Sequence, residues 1–221
     1  MNNEIKACVF DVYGTLFDVH SVKKKADELY DGRGEEISRI WRQKQLEYSF
    51  LRQIMGNYET FLTVTRNALS YTLRSLHLEN SPEKEELLIN EYKKLECYPE
   101  TEEVLRSLSG KKLAVFSNGS HDMLDPLIEQ SGLAPLFDAI ISVDHAKQFK
   151  PSPASYTLVL KELGVERENV LFMSSNGWDI SGARNFGFQT AWINRGGMPT
   201  EELGVKPHSI YEDLKGILEW R

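Results

Sequence analysis

The chain has 221 residues, enough for a substantial core in one or two domains, and its 41% hydrophobic and 27% charged residues are those of an ordinary globular protein. A net charge of −7 argues against nonspecific binding to nucleic acid or to an anionic membrane, although a local Arg or Lys can still receive an anionic substrate. No run of about 18 apolar residues marks a membrane span. No apolar leader opens "MNNEIKACVF", and Cys8 and Cys97 stand in no metal-type spacing, so reduced thiols in a cytoplasmic protein are expected.

The first predicted element is the buried strand "ACVF" (7–10), which runs directly into Asp11, Tyr13, Gly14 and Thr15. From about Val19 to Cys97 no strand pattern appears. There "IWRQKQLEY" reads as a helix carrying Arg42, and Leu62, Leu69, Leu73 and Leu76 keep helical spacing, as do Leu88, Tyr92 and Leu95. "ENSPEKEE" (79–86) is a capped helix start, with Ser81 as N-cap and Pro82 at the first helical position.

After this segment the chain alternates. Apolar runs "LAVF" (113–116), "AIISV" (139–143), "VLFM" (170–173) and "TAWI" (190–193) have strand length and no polar alternation, as strands covered on both faces do. Between them Leu124, Leu127 and Ile128 share a helical face, Tyr156, Val159, Leu160 and Leu163 another before Gly164, and Ala183 and Phe186 a third before Gly187. The pattern predicts an α/β fold: a doubly wound parallel-sheet, Rossmann-like core (1–18 and 98–221) with an inserted helical cap (19–97).

Ligands of open parallel sheets sit beyond the carboxyl ends of the strands. Those ends carry Asp11, then "SNGS" (117–120), then Asp144 with "KQFKPSP" (147–153), then "SSNGWD" (174–179). Carboxylates, hydroxyls, amides and lysines gathered at one edge predict an active site.

These motifs, in this order, resemble the haloacid dehalogenase superfamily. "FDVYGTLFDVHSV", "WRQKQLEY", "SNGS", "FKPSPASY" and "SSNGWDISGARNFGF…WINR" are similar to the L-2-haloacid dehalogenases, over about residues 5–197. The resemblance implies hydrolysis of short-chain (S)-2-haloacids to (R)-2-hydroxyacids and halide through an ester on Asp11. It also implies a homodimer and a cap that closes Arg42 over the halogen or carboxylate of the substrate.

The residues bear on that expectation individually. Phosphatases of the superfamily have Asp-x-Asp where this chain has Asp11 and Tyr13. A phenol with a pKa of about 10 cannot cycle a proton near neutrality as a carboxylic acid does, whereas a halide leaves without one. Asp11 is therefore the expected nucleophile, although a carboxylate in this place also caps turns. Thr15 is expected to fix Asp11, and Lys150 to keep it ionised beside a second anion. Asp179 is expected to hold Lys150 or activate water, with Ser174 and Asn176 positioning that water and Tyr156 bonding Asp179 or substrate. Ser117 and Asn118 are expected to hold the substrate carboxylate. Val12, Tyr13, Arg42, Gln43, Leu46, Phe61, Lys150 and Trp178 complete the expected substrate pocket. His121 and His145 fit no triad spacing. With only Asp11 and Asp179 as hard anionic ligands, and a lysine beside them, no metal and no cofactor is expected. A Mg²⁺-dependent phosphatase of the same superfamily and a noncatalytic carboxylate-binding protein are the alternatives.

Overall fold

Strand β1, Ala7–Phe10, forms the middle of the sheet. A computed structural model describes residues 4–220. The outermost ends of the expected core, residues 1–3 and 221, lie outside the described residues. Beside β1 run β2 (Lys112–Ser117) and β4 (Val170–Ser174), followed outward by β3 (Ala139–Ser142) on one side and by β5 (Gln189–Ile193) and β6 (Ser209–Tyr211) on the other. The strand order is β3-β2-β1-β4-β5-β6, with every pair parallel. This is the doubly wound arrangement. The chain winds outward from β1 through β2 to β3, then returns to β4 on the far side, so the winding reverses at β1 and opens a crevice at its carboxyl end.

Register sets what lines that crevice. Phe10 stands opposite both Val115 and Met173. One step further, Asp11 comes level with Phe116 on one side and Ser174 on the other, held by Asp11 N–H donating to the Met173 carbonyl at 2.8 Å. The runs are uninterrupted because both faces are covered: every residue of β1 and β4 is buried. Cys8 is fully buried in β1, and burial pushes its thiol up to about 12, which makes it an inert core residue.

Helices α1 (His20–Leu29), α2 (Gly34–Met55), α3 (Phe61–Ser75) and α4 (Pro82–Glu91) follow β1. α2 ends at Gly56, whose φ of +66° is the left-handed cap that glycine adopts freely. The Ser81 hydroxyl accepts from Lys84 N–H at 3.3 Å at the start of α4. Trp41 of α2 is wholly buried, packs edge-on against Tyr92 at 5.1 Å and donates its indole N–H to the Thr65 carbonyl at 2.9 Å, tying α2 to α3. The apolar face of α4 outlasts the helix, since Leu95 is buried in the turn beyond it.

The two connections of this helical segment to the sheet lie side by side. Asp18 N–H donates to the Glu96 carbonyl at 2.8 Å and Tyr98 N–H to the Leu16 carbonyl at 3.0 Å. Then come α5 (Thr101–Ser107), α6 (His121–Gln130), α7 (Pro153–Leu163) and α8 (Gly177–Phe186), the last three alternating with the strands.

Candidate active site

Asp11 follows directly on β1 and is nearly buried, so its carboxylate must be met by donors. The donors are distributed unequally. Oδ2 accepts from Thr15 Oγ1 at 3.1 Å, Ser174 Oγ at 3.2 Å and Asn176 Nδ2 at 3.0 Å. Among the described residues Oδ1 receives only Lys150 Nζ, at 3.3 Å. Each neutral donor is itself held. Ser174 Oγ accepts from Asn176 N–H at 3.1 Å, which leaves its proton for Asp11. Thr15 Oγ1 accepts from Ser175 N–H at 2.8 Å. The Thr15 carbonyl accepts from Arg195 Nη2 at 3.1 Å, and the same nitrogen donates to Glu100 at 2.6 Å.

Lys150 is buried to 1% exposure, and its three N–H groups are all taken. Nζ donates to the Phe116 carbonyl at 2.7 Å, to Asp179 Oδ2 at 2.9 Å and to Asp11 Oδ1 at 3.3 Å, with the Phe116 and Phe172 rings 4.4 and 5.0 Å away. Asp179 is wholly buried on the first turn of α8, with Tyr156 Oη donating to Oδ1 at 2.7 Å. Burial pushes the Asp179 carboxyl up to about 6; Lys150 opposes the rise and Asp11 adds to it. The hydroxyl of Tyr156 reaches Asp179 because residue 182 is glycine. A Cβ there would lie 2.5 Å from Tyr156 Oη and 2.5 Å from Pro151 Cβ.

Over these groups lies a small pocket between the helical segment and the sheet. Arg42, Leu46 and Phe61 line it from above, and Asp11, Tyr13, Ser117, Asn118, Lys150, Asn176 and Trp178 from below. Arg42 Nη2 donates to Asn176 Oδ1 at 3.2 Å. Ser117 Oγ accepts from Gly119 N–H at 3.0 Å, and Asn118 Oδ1 from Lys150 N–H at 2.9 Å. The Ser117 proton and the Asn118 NH₂ group are thereby left as donors for a ligand. Tyr13 stacks on Phe61 at 6.2 Å; burial first, then Tyr92 and Asp11, push its phenol well above the ordinary range, so it stays protonated. Two further contacts join the helical segment to the loop after β3: Tyr58 Oη donates to Asp144, and Phe149 N–H donates to Gln53 Oε1 at 2.7 Å.

The structure places three of the expected substrate-binding residues as follows. Gln43 is exposed and outside the pocket, because its position on α2 turns it away from the face that Arg42 and Leu46 present. The Val12 side chain is packed into the core and its carbonyl accepts from Thr15, Leu16 and Phe17 N–H, so the substrate contact expected of Val12 falls to its backbone N–H. Lys150 lines the pocket with its three ammonium N–H groups engaged by the Phe116 carbonyl, Asp179 and Asp11. Thr15, Tyr156, Ser174 and Asp179 stand behind the pocket and reach it through Asp11 and Lys150. His121 and His145 lie outside the pocket lining, with ring centres 5.2 Å apart and His121 Nδ1 on Asp125. The sequence reading missed Gln45, Arg195 and Gly182. The spacing of Gln45 from Arg42, three residues along α2, was the one available signal.

These residues do not fit a magnesium ion. A divalent cation would have to stand between Asp11 and Asp179, where the Lys150 ammonium already sits. Among the described residues no three His, Cys, Asp or Glu side chains cluster to hold a metal.

A family model for haloacid dehalogenase-like hydrolases matches residues 5–187. The chain is 45% identical over 217 residues to the (S)-2-haloacid dehalogenase of Pseudomonas sp. (strain YL), covering 97% of this chain and 94% of the relative. It is 45% identical over 206 residues to haloacetate dehalogenase H-2 of Moraxella sp. (strain B), covering 92% of each. The solved structure of L-2-haloacid dehalogenase from Xanthobacter autotrophicus with chloropropionic acid covalently bound superposes with a TM-score of 0.92, at 42% identity and 97% coverage of both chains.

Proposed function

The chain belongs to the haloacid dehalogenase-like hydrolases and is a hydrolase of carbon–halide bonds, and from that premise we propose that it converts short-chain (S)-2-haloacids to (R)-2-hydroxyacids and halide through an ester on Asp11. The observation that carries this reading is the unequal environment of the Asp11 carboxylate. Oδ2 is held by three neutral donors, while Oδ1 meets only the ammonium of Lys150. Oδ1 is the nucleophile. It attacks C2, the carbon–halogen bond breaks, and halide leaves with the electron pair toward Arg42. The relative whose structure holds chloropropionic acid covalently bound supports a covalent intermediate.

Water then attacks the Asp11 carbonyl carbon. Negative charge develops on Oδ2, where Thr15, Ser174 and Asn176 already donate, so these residues form the oxyanion hole of the second step. Ionised Asp179, held by Lys150 and Tyr156, takes the proton of the water. The Cγ–Oδ1 bond breaks, Oδ1 takes the proton that Asp179 received, the second water proton passes from the Asp11 carboxyl to solvent, and the 2-hydroxyacid leaves with Oδ1 as its hydroxyl and a single inversion at C2. Ser117 and Asn118 hold the substrate carboxylate, and Tyr13, Leu46, Phe61 and Trp178 enclose its alkyl group.

Residues 19–97 act as a cap on a core formed by the rest of the chain, with the paired connections at Asp18–Glu96 and Leu16–Tyr98 as the boundary. Leu51, Ile54 and Met55 of α2 are 44%, 81% and 65% exposed, and we assign this face to a homodimer contact, which sedimentation velocity tests. No helix among the described residues is long and apolar enough to cross a membrane, and both cysteines are free, in keeping with a cytoplasmic enzyme.

A single turnover of (S)-2-chloropropionate in ¹⁸O-water with excess enzyme tests the mechanism. The ester route puts solvent oxygen into the peptide that contains Asp11. An unlabelled peptide beside labelled hydroxyacid means that water attacked C2 directly, and the ester mechanism falls.

A further inference from the structure

Gln45 is fully buried in α2, one turn along from Arg42 and outside the pocket lining. Its Oε1 lies 2.7 Å from Arg42 Nη1, its Nε2 lies 2.8 Å from Thr65 Oγ1, and Thr65 Oγ1 lies 2.7 Å from the Phe61 carbonyl. The direction of every proton in this chain is fixed by chemistry alone. A guanidinium only donates, so the amide oxygen must face Arg42 and the NH₂ must face Thr65. A carbonyl only accepts, so the Thr65 hydroxyl must donate to Phe61 and offer its lone pair to Gln45. The amide cannot turn over without breaking its bond to Arg42 and one more bond of the chain inside a buried helix interface.

The other arm of the guanidinium is held in the same way. Arg42 Nη2 meets the amide oxygen of Asn176 at 3.2 Å. Two carboxamide oxygens, one from the cap and one from the core, thus fix the plane of the cation, and neither carries charge. A glutamate at position 45 would bind the guanidinium more strongly but would cancel its field in the pocket. We infer that Gln45 is a positioning residue for carbon–halogen cleavage: through the Gln45–Thr65–Phe61 chain it aims the Arg42 guanidinium at the leaving group while leaving its positive charge undiminished. This rests on the reading of Arg42 as the group that receives halide.

The near-isosteric variant Gln45→Glu tests it, with two readouts. In single turnover of (S)-2-bromopropionate, bromide release is expected to slow roughly 10–100-fold, the loss typical of a misdirected transition-state donor, while hydrolysis of the ester, followed by quench and mass measurement, keeps its wild-type rate. Bromide binding, titrated by tryptophan fluorescence, is expected to weaken in parallel. Thr65→Val, which removes the acceptor of the Gln45 amide, should slow bromide release less, and Thr65→Ser should restore it. A residue needed only for packing would lower the melting temperature and slow both steps together. Wild-type bromide release by Gln45→Glu, or equal slowing of the two steps, overturns the inference. Should the wild type release no bromide, the proposed function fails on its own, and the binding titration still decides: unchanged bromide affinity in Gln45→Glu sinks the role of Gln45.

Discussion

Arg42 reaches from α2 across the pocket to donate to the Asn176 side-chain oxygen at 3.2 Å. That contact orients the asparagine: with its oxygen facing Arg42, its NH₂ must face Asp11 Oδ2, 3.0 Å away. In the proposed mechanism the helical segment therefore helps set a donor of the oxyanion hole. Asn176→Ala is expected to slow ester hydrolysis about 10²–10³-fold, the cost of losing one such donor, and to slow the halide burst less, because Gln45 still holds the other arm of Arg42. Mass spectrometry of the protein in steady state should find the ester on Asp11; an unmodified Asp11 at full turnover contradicts the assignment.

Lys150→Met should abolish turnover and destabilise the fold. The ammonium stands between two carboxylates, and its removal leaves Asp11 and Asp179 facing each other in a buried site. Breaking a buried charge network in this way costs about 3–5 kcal/mol. Lys150→Arg should not rescue activity, because the Phe116 carbonyl and two aromatic rings close around the smaller head group. Urea midpoints and halide release read the two effects separately.

In the proposed mechanism Asp179 gives turnover an acid limb. Its folded-state pKa of about 6 is raised, chiefly by burial, above the unfolded value of about 3.9. For a carboxyl group shifted upward the stability contribution is present in full below the unfolded value and is lost as pH rises through about 6, because the buried charge is what costs. Activity runs the other way. Ester hydrolysis, which uses ionised Asp179, should fall below about pH 6 while the halide burst persists. A hydrolysis rate that stays flat to well below that pH would remove Asp179 as the base.

Gly182→Ala tests the support of Asp179 from behind. The new methyl would meet Tyr156 Oη at 2.5 Å, so either α8 shifts or the tyrosine withdraws from Asp179. Overpacking of this kind costs about 1–3 kcal/mol. Turnover should drop toward that of Tyr156→Phe, and wild-type kcat in Gly182→Ala would show that the hydroxyl is dispensable.

The strands that pack on both faces were legible because burial demands continuous apolar runs, and the helical segment was legible from its leucine spacing. β6 was not: "SIY" is a short, half-exposed edge strand with no apolar run of its own. α1 and α5 were missed because α1 buries only Val22 and Ala26 and α5 spans just seven residues. At the site, the residues that follow strands could be read from the order of elements. The pocket wall could not. Gln43 and Gln45 look alike in sequence, and only the rotation of α2 sends one to solvent and buries the other beside Arg42. Gly182 carried no signal, since its role is the absence of a side chain beneath Tyr156.

The chain leaves the sheet after β1 and comes back before β2 through segments that touch, Asp18 against Glu96 and Leu16 against Tyr98. To the sheet, everything between those points is one very long excursion whose two feet are pinned together. Its contents can lengthen, shrink or be exchanged without altering how β1 and β2 align. The nucleophile and the lysine thus reside on a frame indifferent to what roofs it, whereas the arginine travels with the roof.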